Sequence, residues 1–588
     1  MLSSKGSLFY LVVIYCYSMD KDIKYALEYH EATKHSEASL MTSRHYLDFD
    51  NKPIPFKIYL ELPSITLPVA FPTPEVNAIS CITNMIDQRS HNIKGATTTI
   101  SDDNATTVAN TYNIDINDLA EILFFSAGIT REMKYSHGTY YMRAAPATGA
   151  LYPVELYIVC DDVSPNLAAG VYHFSPADFS LTQIRKGKFR SYLAATANNQ
   201  EILTSQLTII FTSFAWRNAW KYQARSYRHW FWDSGVIAAN LLATTAAMQL
   251  PARVVMGFVD DSVDQLLCLE HQKEATIAMA AIGVGPSKAT TAFQQADRLL
   301  KIPNQVGPRI RPLSKRREID YPEIWELNRA SKLTSKQEVR EWINNAHRHL
   351  GARPSAYSQK KGTDNVTNKV KPKELEEDDM NASLSLKEAI LWRGSSRRFS
   401  RTSISSSTLR TILYSATRGV QIDILKDGNS LIDIYFIANA VDNLAAGAYF
   451  YDRNATSLNK VKEIANTRNI SAYLCLGQSL FSDACAVFFL LTDLEAVLRS
   501  LGNRGYRACQ FEAGIIAGKI YLAAYALGIG ASGSTFFDDA VTEFFSPHAS
   551  NRSPMIVVGV GVPAYKARPG KILPTRLSKK QLLTEDFT

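Results

Sequence analysis

Several stretches of this chain are written twice. Glu155-Leu-Tyr-Ile-Val-Cys-Asp-Asp-Val163 is matched by Asp433-Ile-Tyr-Phe-Ile-Ala-Asn-Ala-Val441. Asn166-Leu-Ala-Ala-Gly-Val-Tyr172 is matched by Asn443-Leu-Ala-Ala-Gly-Ala-Tyr449. Ile122-Leu-Phe-Phe-Ser-Ala127 resembles Ile412-Leu-Tyr-Ser-Ala416, and Arg225-Ser-Tyr-Arg228 matches Arg504-Gly-Tyr-Arg507. Asp260-Asp261 then matches Asp538-Asp539, and Ala281 to Gly285 matches Val557 to Gly561. The pairs keep their order at an offset of about 277 residues. Ordered self-similarity marks a tandem duplication, so each copy must build its own version of one unit. Length alone, 588 residues, would allow roughly three to five domains; the repeat reduces them to two large copies.

Each copy reads as α+β. Glu155 to Cys160 and Asp433 to Ala438 are short, β-rich and bounded by polar residues, so they are expected to be strands. Met555 to Val560 is a continuous β-branched run and reads as a buried strand. Ser234 to Met248 and Ala513 to Leu527 are long, alanine-rich and free of proline, which predicts a buried helix at the centre of each copy. The expected boundaries are 19–300 for the first copy and 384–588 for the second. A connector, 301–383, holds a capped helix from Ser335 to Leu350 and a polar linker over 351–380. The apolar stretch Leu8 to Met19 is too short to span a bilayer, and residues 1–18 read as an upstream extension or a mis-assigned start.

Composition narrows the function. Sixty-four basic residues against 56 acidic ones give a net charge of +8, too dilute for a nucleic-acid-binding face. The seven cysteines are scattered without a CxxC pair, which argues against a disulfide framework or a zinc site and for a reducing, cytoplasmic setting. No spacing suggests a metal, and no partner membrane is expected. His30, His35, His173 and His229 are scattered; His229 is near the residues singled out below.

Two segments carry chemistry. In the second copy, Arg393-Gly-Ser395-Ser-Arg397-Arg-Phe399 follows an amphipathic helix opening at Ser385. On a continuing helix Arg393 and Arg397 would share one face, and two guanidinium forks beside a hydroxyl suit a phosphate or carbonyl edge. In the first copy, Pro146-Ala147-Thr148-Gly149-Ala-Leu151-Tyr152-Pro153 reads as an ordered turn whose small residues admit a flat ligand close to the backbone.

Together these segments resemble the nitroreductase superfamily of FMN proteins, specifically its SagB/ThcOx-type dehydrogenases. The first is similar to the family's Arg-x-Ser-x-Arg-x-Phe element and the second to its Pro-Ser-Ala-Gly-x-Leu-Tyr-Pro element. Ala147 and Thr148 depart from that pattern. Tyr29 to Ser36 resembles the family's amino-terminal signature, and Ile572 to Arg576 its basic tail. The resemblance implies FMN held between two domains that pair as an intrachain pseudo-dimer. One domain would give Arg393, Ser395, Arg397, the glycine-containing turn at Ser532 and Gly533, and Arg576 for the flavin phosphate. The other would give Pro146, Ala147, Thr148, Gly149 and Leu151.

The copies have complementary losses. The first lacks the Arg/Ser triplet, with Thr33 to Ser36 in roughly its place, and the second has Ser415 to Ile422 without prolines where the first has its loop. One composite site, and one FMN per chain, is therefore expected. Lys221-Tyr222-Gln-Ala-Arg225-Ser-Tyr227-Arg228 resembles the Lys-Tyr-x-x-Arg-x-Tyr-Arg segment of azoline oxidases, whose Lys-Tyr pair implies proton transfer; the second copy has Ser500-Leu501 there. A lysine beside a cation has a lowered pKa and can act as base, and Arg225 is the cation expected near Lys221. The implied activity is two-electron oxidation of a C–N bond or of a thiazoline- or oxazoline-type ring on a peptide. The alternatives are an NAD(P)H-dependent nitro- or quinone reductase, and a flavin-binding or flavin-free scaffold in a peptide-modifying complex. Further homodimerisation stays open.

Overall fold

The computed structural model describes residues 23–69, 75–84, 113–136, 138–284, 302, 307–349, 383–426, 428–571, 576–585 and 587. Residues 1–18, the polar linker 351–380 and residues 572–575 therefore lie outside the described residues.

Two antiparallel sheets dominate. In spatial order the first holds Ser64–Thr66, Ser180–Lys186, Gly170–Ser175, Val154–Cys160, Leu207–Phe214, Glu274–Ile282 and Ala252–Val255. The second holds Ser457–Glu463, Gly447–Asp452, Asp433–Ala438, Ala486–Thr492, Ser553–Gly561 and Gly530–Ser534. Apart from the extra edge strand Ser64–Thr66, the two orders are the same, so the duplicated sequence has produced a duplicated topology. Val154–Cys160 and Ala486–Thr492 are buried along their whole length, as expected of apolar runs covered on both faces. One match shifts. Leu207 pairs with Ile282 and Ala486 with Val560, so Gly283 rather than Gly285 is the counterpart of Gly561. Short glycine-containing motifs align equally well two residues apart because strand side chains repeat every second position.

A central helix crosses each copy, Ser226–Ala247 in the first and Arg504–Ala526 in the second, both buried throughout. Both start about eight residues earlier than their alanine-rich stretches indicated. Arginine and aromatic residues open each helix, and their burial reflects tertiary partners rather than local hydrophobicity. The two helices pack on each other through glycine. A Cβ on Gly514 would come within 2.6 Å of the Trp232 carbonyl oxygen, and one on Gly235 would collide with that of Phe511. Trp232 Nε1 donates to Gln510 Oε1 across the same seam at 2.5 Å.

The ends of these helices are locked by a crossed pair of ionic clamps. Arg225 and Arg228 of the first copy donate to Asp538 of the second at 3.0 and 2.8 Å. Arg504 and Arg507 of the second copy donate to Asp260 of the first at 2.6 and 2.7 Å. Each clamp is closed by a third segment. Arg228 also donates to the His30 carbonyl and Thr33 Oγ1, and the His35 amide to Asp538. Arg507 likewise donates to the Asn328 carbonyl and Ser331 Oγ, and the Leu333 amide to Asp260. Tyr29-His-Glu-Ala-Thr-Lys-His35 and Leu327-Asn-Arg-Ala-Ser-Lys-Leu333 are thus counterparts. Two expectations change as a result. Thr33 to Ser36 does not occupy the place of the Arg/Ser triplet, and Pro322–Ala330 within the 301–383 segment is a repeated element of the fold. The shared Ala-Thr/Ser-Lys core is too short to find by sequence, and the clamp contacts join residues 73 to 503 apart.

Burial alone would raise Asp538, but the Arg225 and Arg228 charges overcome it and hold the carboxyl well below its usual range. Removing one partner of a buried pair leaves the other charge without compensation, at about 3–5 kcal/mol. Asp538→Ala is therefore expected to destabilise the fold by about that amount in denaturant unfolding. Asp539→Ala, whose exposed carboxylate meets Lys34, should change it by about 0–1 kcal/mol. A carboxyl lowered on folding stabilises above its unfolded pKa of about 3.9 and loses that contribution as pH falls. The gap between wild type and Asp538→Ala should thus be full above about pH 4 and close at lower pH.

Candidate functional site

A cleft of about 1610 Å³ opens between the two copies. The first copy lines it with the hairpin of Ile129–Tyr135 and Gly138–Arg143, the Pro146–Ala150 turn, Lys221, Tyr222, and His229, Trp232 and Asp233 of its central helix. The second lines it with Arg393 to Arg398, Tyr521 and Tyr525 of its central helix, the edge strand at Ser532 to Ser534, and Tyr565 to Lys571. Of the residues singled out by sequence, Lys221, Tyr222, Pro146, Ala147, Thr148, Gly149, Arg393, Ser395, Arg397, Ser532 and Gly533 all face this one space.

Two do not. Leu151 is buried in the core, and Arg576 donates to the Leu67 carbonyl at 2.5 Å, outside the cleft. The basic residues that reach the cleft from the carboxy-terminal side come earlier, Lys566, Arg568 and Lys571. They are placed there by backbone bonds from Gly570 to the Leu391 carbonyl and from Lys571 to the Thr130 carbonyl. A basic run following a terminal strand was the signal available in the sequence.

The Arg/Ser segment is not helical. The helix Leu386–Trp392, opened by the Ser385–Glu388 capping box, stops with Arg393 as its C-cap in non-helical geometry. Arg393 and Arg397 therefore do not share a helix face. Arg393 is buried and donates to the Ala144 carbonyl at 2.9 Å and the Arg143 carbonyl at 2.5 Å. It joins the second copy to the base of the first copy's turn. Ser395 bonds to the Tyr521 hydroxyl, which also accepts from the Gly533 amide.

The turn itself is held under tension. Gly149, Ala150 and Tyr152 all have positive φ, at 65°, 55° and 49°, and for the two residues with a Cβ that conformation is disfavoured. Asp233 holds it in place, accepting from the Thr148 amide at 2.9 Å and from its hydroxyl at 2.7 Å. Sequence inspection missed Asp233, which stands one helical turn after His229. Burial pushes its carboxyl up to about 7 against those hydrogen bonds. Glu512 does the same work in the second copy, accepting from the Leu431 amide and the Ser430 hydroxyl, so this carboxylate is first a loop anchor.

Lys221 and Tyr222 end the short helix Ala215–Tyr222. Burial and then the Arg397 charge lower the Lys221 ammonium below the ordinary lysine value. The cation acting on it is Arg397, not Arg225, whose guanidinium is committed to Asp538. Burial and then the Asp233 charge push the Tyr222 hydroxyl well above its usual value, so it stays protonated. Its oxygen lies over Gly149, where a Cβ would come within 2.7 Å. His229 stands edge-on to Tyr222 with ring centres 4.6 Å apart, and burial holds it neutral.

The counterpart groove, on the other side of the pseudo-two-fold, is filled. Its edge strand Ala252–Val255 bridges to Ile422. Asp423 accepts from the Met256 and Gly257 amides at 3.0 Å each. The helix Lys336–His349 lies over it. Trp342 donates to the Leu501 carbonyl at 2.9 Å, and Ile343 packs on Gly257. Leu501 is the counterpart of Tyr222; each ends its helix before a residue of positive φ, Gly502 or Gln223. No helix among the described residues is long and apolar enough to cross a membrane.

Comparison with known proteins agrees with this fold. The crystal structure of a protein described as a nitroreductase from Anabaena variabilis superposes with a TM-score of 0.66 at 24% identity, covering 92% of this chain and 99% of that one. That likeness carries the fold, both copies included. A protein described as a nitroreductase, MJ1384 of Methanocaldococcus jannaschii, is 25% identical over 171 residues, 29% of this chain and 81% of its own. The trifolitoxin-processing protein TfxB of Rhizobium leguminosarum bv. trifolii is 27% identical over 177 residues, 29% of this chain and 46% of its own length. The sequence model of the nitroreductase family matches residues 111–285 and again 390–562: the chain belongs to the nitroreductase family, with the family's domain present twice.

Proposed function

We propose that this chain is an FMN-dependent oxidoreductase with one composite site, and that it withdraws two electrons from a C–N bond or azoline-type ring carried on a peptide. The observation that carries the reading is the pairing within one cleft of the Arg393–Arg397 segment of one copy with the Pro146–Ala150 turn and Lys221-Tyr222 of the other, while the counterpart groove is filled.

The cleft residues fit a flavin mononucleotide. The edge strand at Ser532 to Ser534 borders the cleft with the Gly533 amide donating to the Tyr521 hydroxyl, whereas in the counterpart strand Val254 exchanges backbone bonds with Gln421 and Asp423. Gly149, Gly394 and Gly533 keep the walls low, and Arg397, Lys566 and Arg568 would hold the phosphate. The volume exceeds the roughly 300–1,000 Å³ of a site for one small ligand, leaving room for a substrate. FMN, when bound, supplies a two-electron acceptor that takes a hydride and is reoxidised by oxygen. The chain supplies the rest. Lys221 Nζ takes the proton released from the substrate C–H or N–H and passes it to solvent. The Tyr222 hydroxyl donates to the developing charge. Arg393 and Asp233 fix the turn by its two ends, so donors are aligned before reaction. The likeness to TfxB, whose name refers to trifolitoxin processing, supports a peptide substrate.

A second reading, an NAD(P)H-dependent nitro- or quinone reductase on the same site, is supported by the likeness to MJ1384. Rapid bleaching of the flavin by NADPH, coupled to nitro or quinone turnover, would decide for it.

Purified protein is expected to show flavin absorbance equal to one FMN per chain; a ratio of two would sink the composite site. Lys221→Ala should keep that absorbance and lose about 10²–10⁴-fold in turnover. Because Lys221 is lowered, the wild-type rate should rise with pH through an inflection below about 10.4. Lys221→Ala should lose this rise, and a variant that keeps it would remove Lys221 from proton transfer.

A further inference from the structure

The filled groove shows what the open one is shaped to take. In the counterpart, the 14-residue helix Lys336–His349 seats Val339, Trp342 and Ala346, and Trp342 reaches the end of the groove beside Leu501. The corresponding element at the cleft, Glu37–Thr42, is six residues long and buries no side chain. Among the described residues, nothing of that kind covers the space beside Tyr222, Gln478 and Thr535, which lines the cleft. The charges there are also unmatched. Nine lysine and arginine side chains line the cleft against two carboxylates, Glu132 and Asp233, and one cofactor phosphate neutralises about two charges at most. Lys221 feels the charge of Arg397, and Lys52, which sits 4.9 Å from the Tyr140 ring centre, feels that of Lys221. No carboxylate among the described residues forms an ion pair with any of the three.

We propose that this open end is a groove for an acidic polypeptide segment, with an apolar side chain seated beside Tyr222 as Trp342 is beside Leu501, and a carboxylate against Lys52. The occupant is the peptide substrate; a polypeptide fits because the same fold, across its pseudo-two-fold, already seats the helix Lys336–His349. This assignment rests on the cleft being the flavin site proposed above.

The test uses the full-length, flavin-loaded chain and two synthetic amphipathic helices of the same length as Lys336–His349. Each carries one tryptophan. One has glutamate at every polar position and the other lysine. The glutamate peptide is expected to bind, to perturb the flavin absorbance, and to weaken as salt rises; the lysine peptide should bind at least about tenfold more weakly. Lys52→Glu should weaken the glutamate peptide about tenfold with its flavin content unchanged. Equal binding of the two peptides, or undiminished binding to Lys52→Glu, overturns the acidic groove. Binding of NADPH but of neither peptide overturns the polypeptide and assigns the charges to a dinucleotide. If the chain purifies without flavin, the flavin reading fails instead, and peptide anisotropy on the same protein still decides the groove.

Discussion

The structure depends on four buried arginines. Arg225, Arg228, Arg504 and Arg507 each carry a full charge into the interior, which is tolerable only because a carboxylate of the other copy meets them there. Asp538 and Asp260 are therefore not optional contacts. They fix which ends of the central helices lie together, and the glycines at 235 and 514 then fix how closely the helices approach. Everything in the cleft follows from that docking, since its two walls belong to different copies.

Symmetry makes the clamps equivalent, but the grooves beside them are not. The first copy kept a hairpin and a strained turn between its first helix and sheet; the second connects the same elements directly through residues 418–432. The second copy kept Arg393 to Arg397 after the helix Leu386–Trp392; in the first, the segment following the equivalent helix Ala78–Thr83 lies outside the described residues. One groove holds a pair of complementary walls. In the other, Asp423 accepts from the Met256 and Gly257 amides and Trp342 donates to the Leu501 carbonyl.

Much of this was legible in the sequence, for identifiable reasons. Strand runs such as Asp433–Ala438 and the repeat itself are local patterns, and they survive because burial demands them. The grouping of Pro146, Lys221 and Arg393 in one site was readable from the family resemblance and from the complementary losses. Geometry that depends on what a side chain meets was not readable. Arg393 and Arg397 have helical spacing, but the helix ends one residue too soon. Arg225 stands four residues from Lys221, yet its charge is spent on Asp538 instead. Asp233 stands one residue ahead of the helix expected over Ser234 to Met248; only the fold brings Thr148 to it. The Thr33 and Ser331 clamps share only an alanine, a hydroxyl residue and a lysine in a row, far too little sequence for a pattern that tertiary contacts enforce.

Fusion of the copies has a consequence for how the site responds to dilution. In a family whose site forms between two separate chains, the site would exist only as long as the chains stay associated, so its occupancy would depend on protein concentration. Here both walls are parts of one molecule, and the second wall is present at a fixed effective concentration set by the chain itself. The cleft is assembled in the most dilute solution as fully as in the most concentrated. Each chain can carry a change on one wall without the same change appearing on the other.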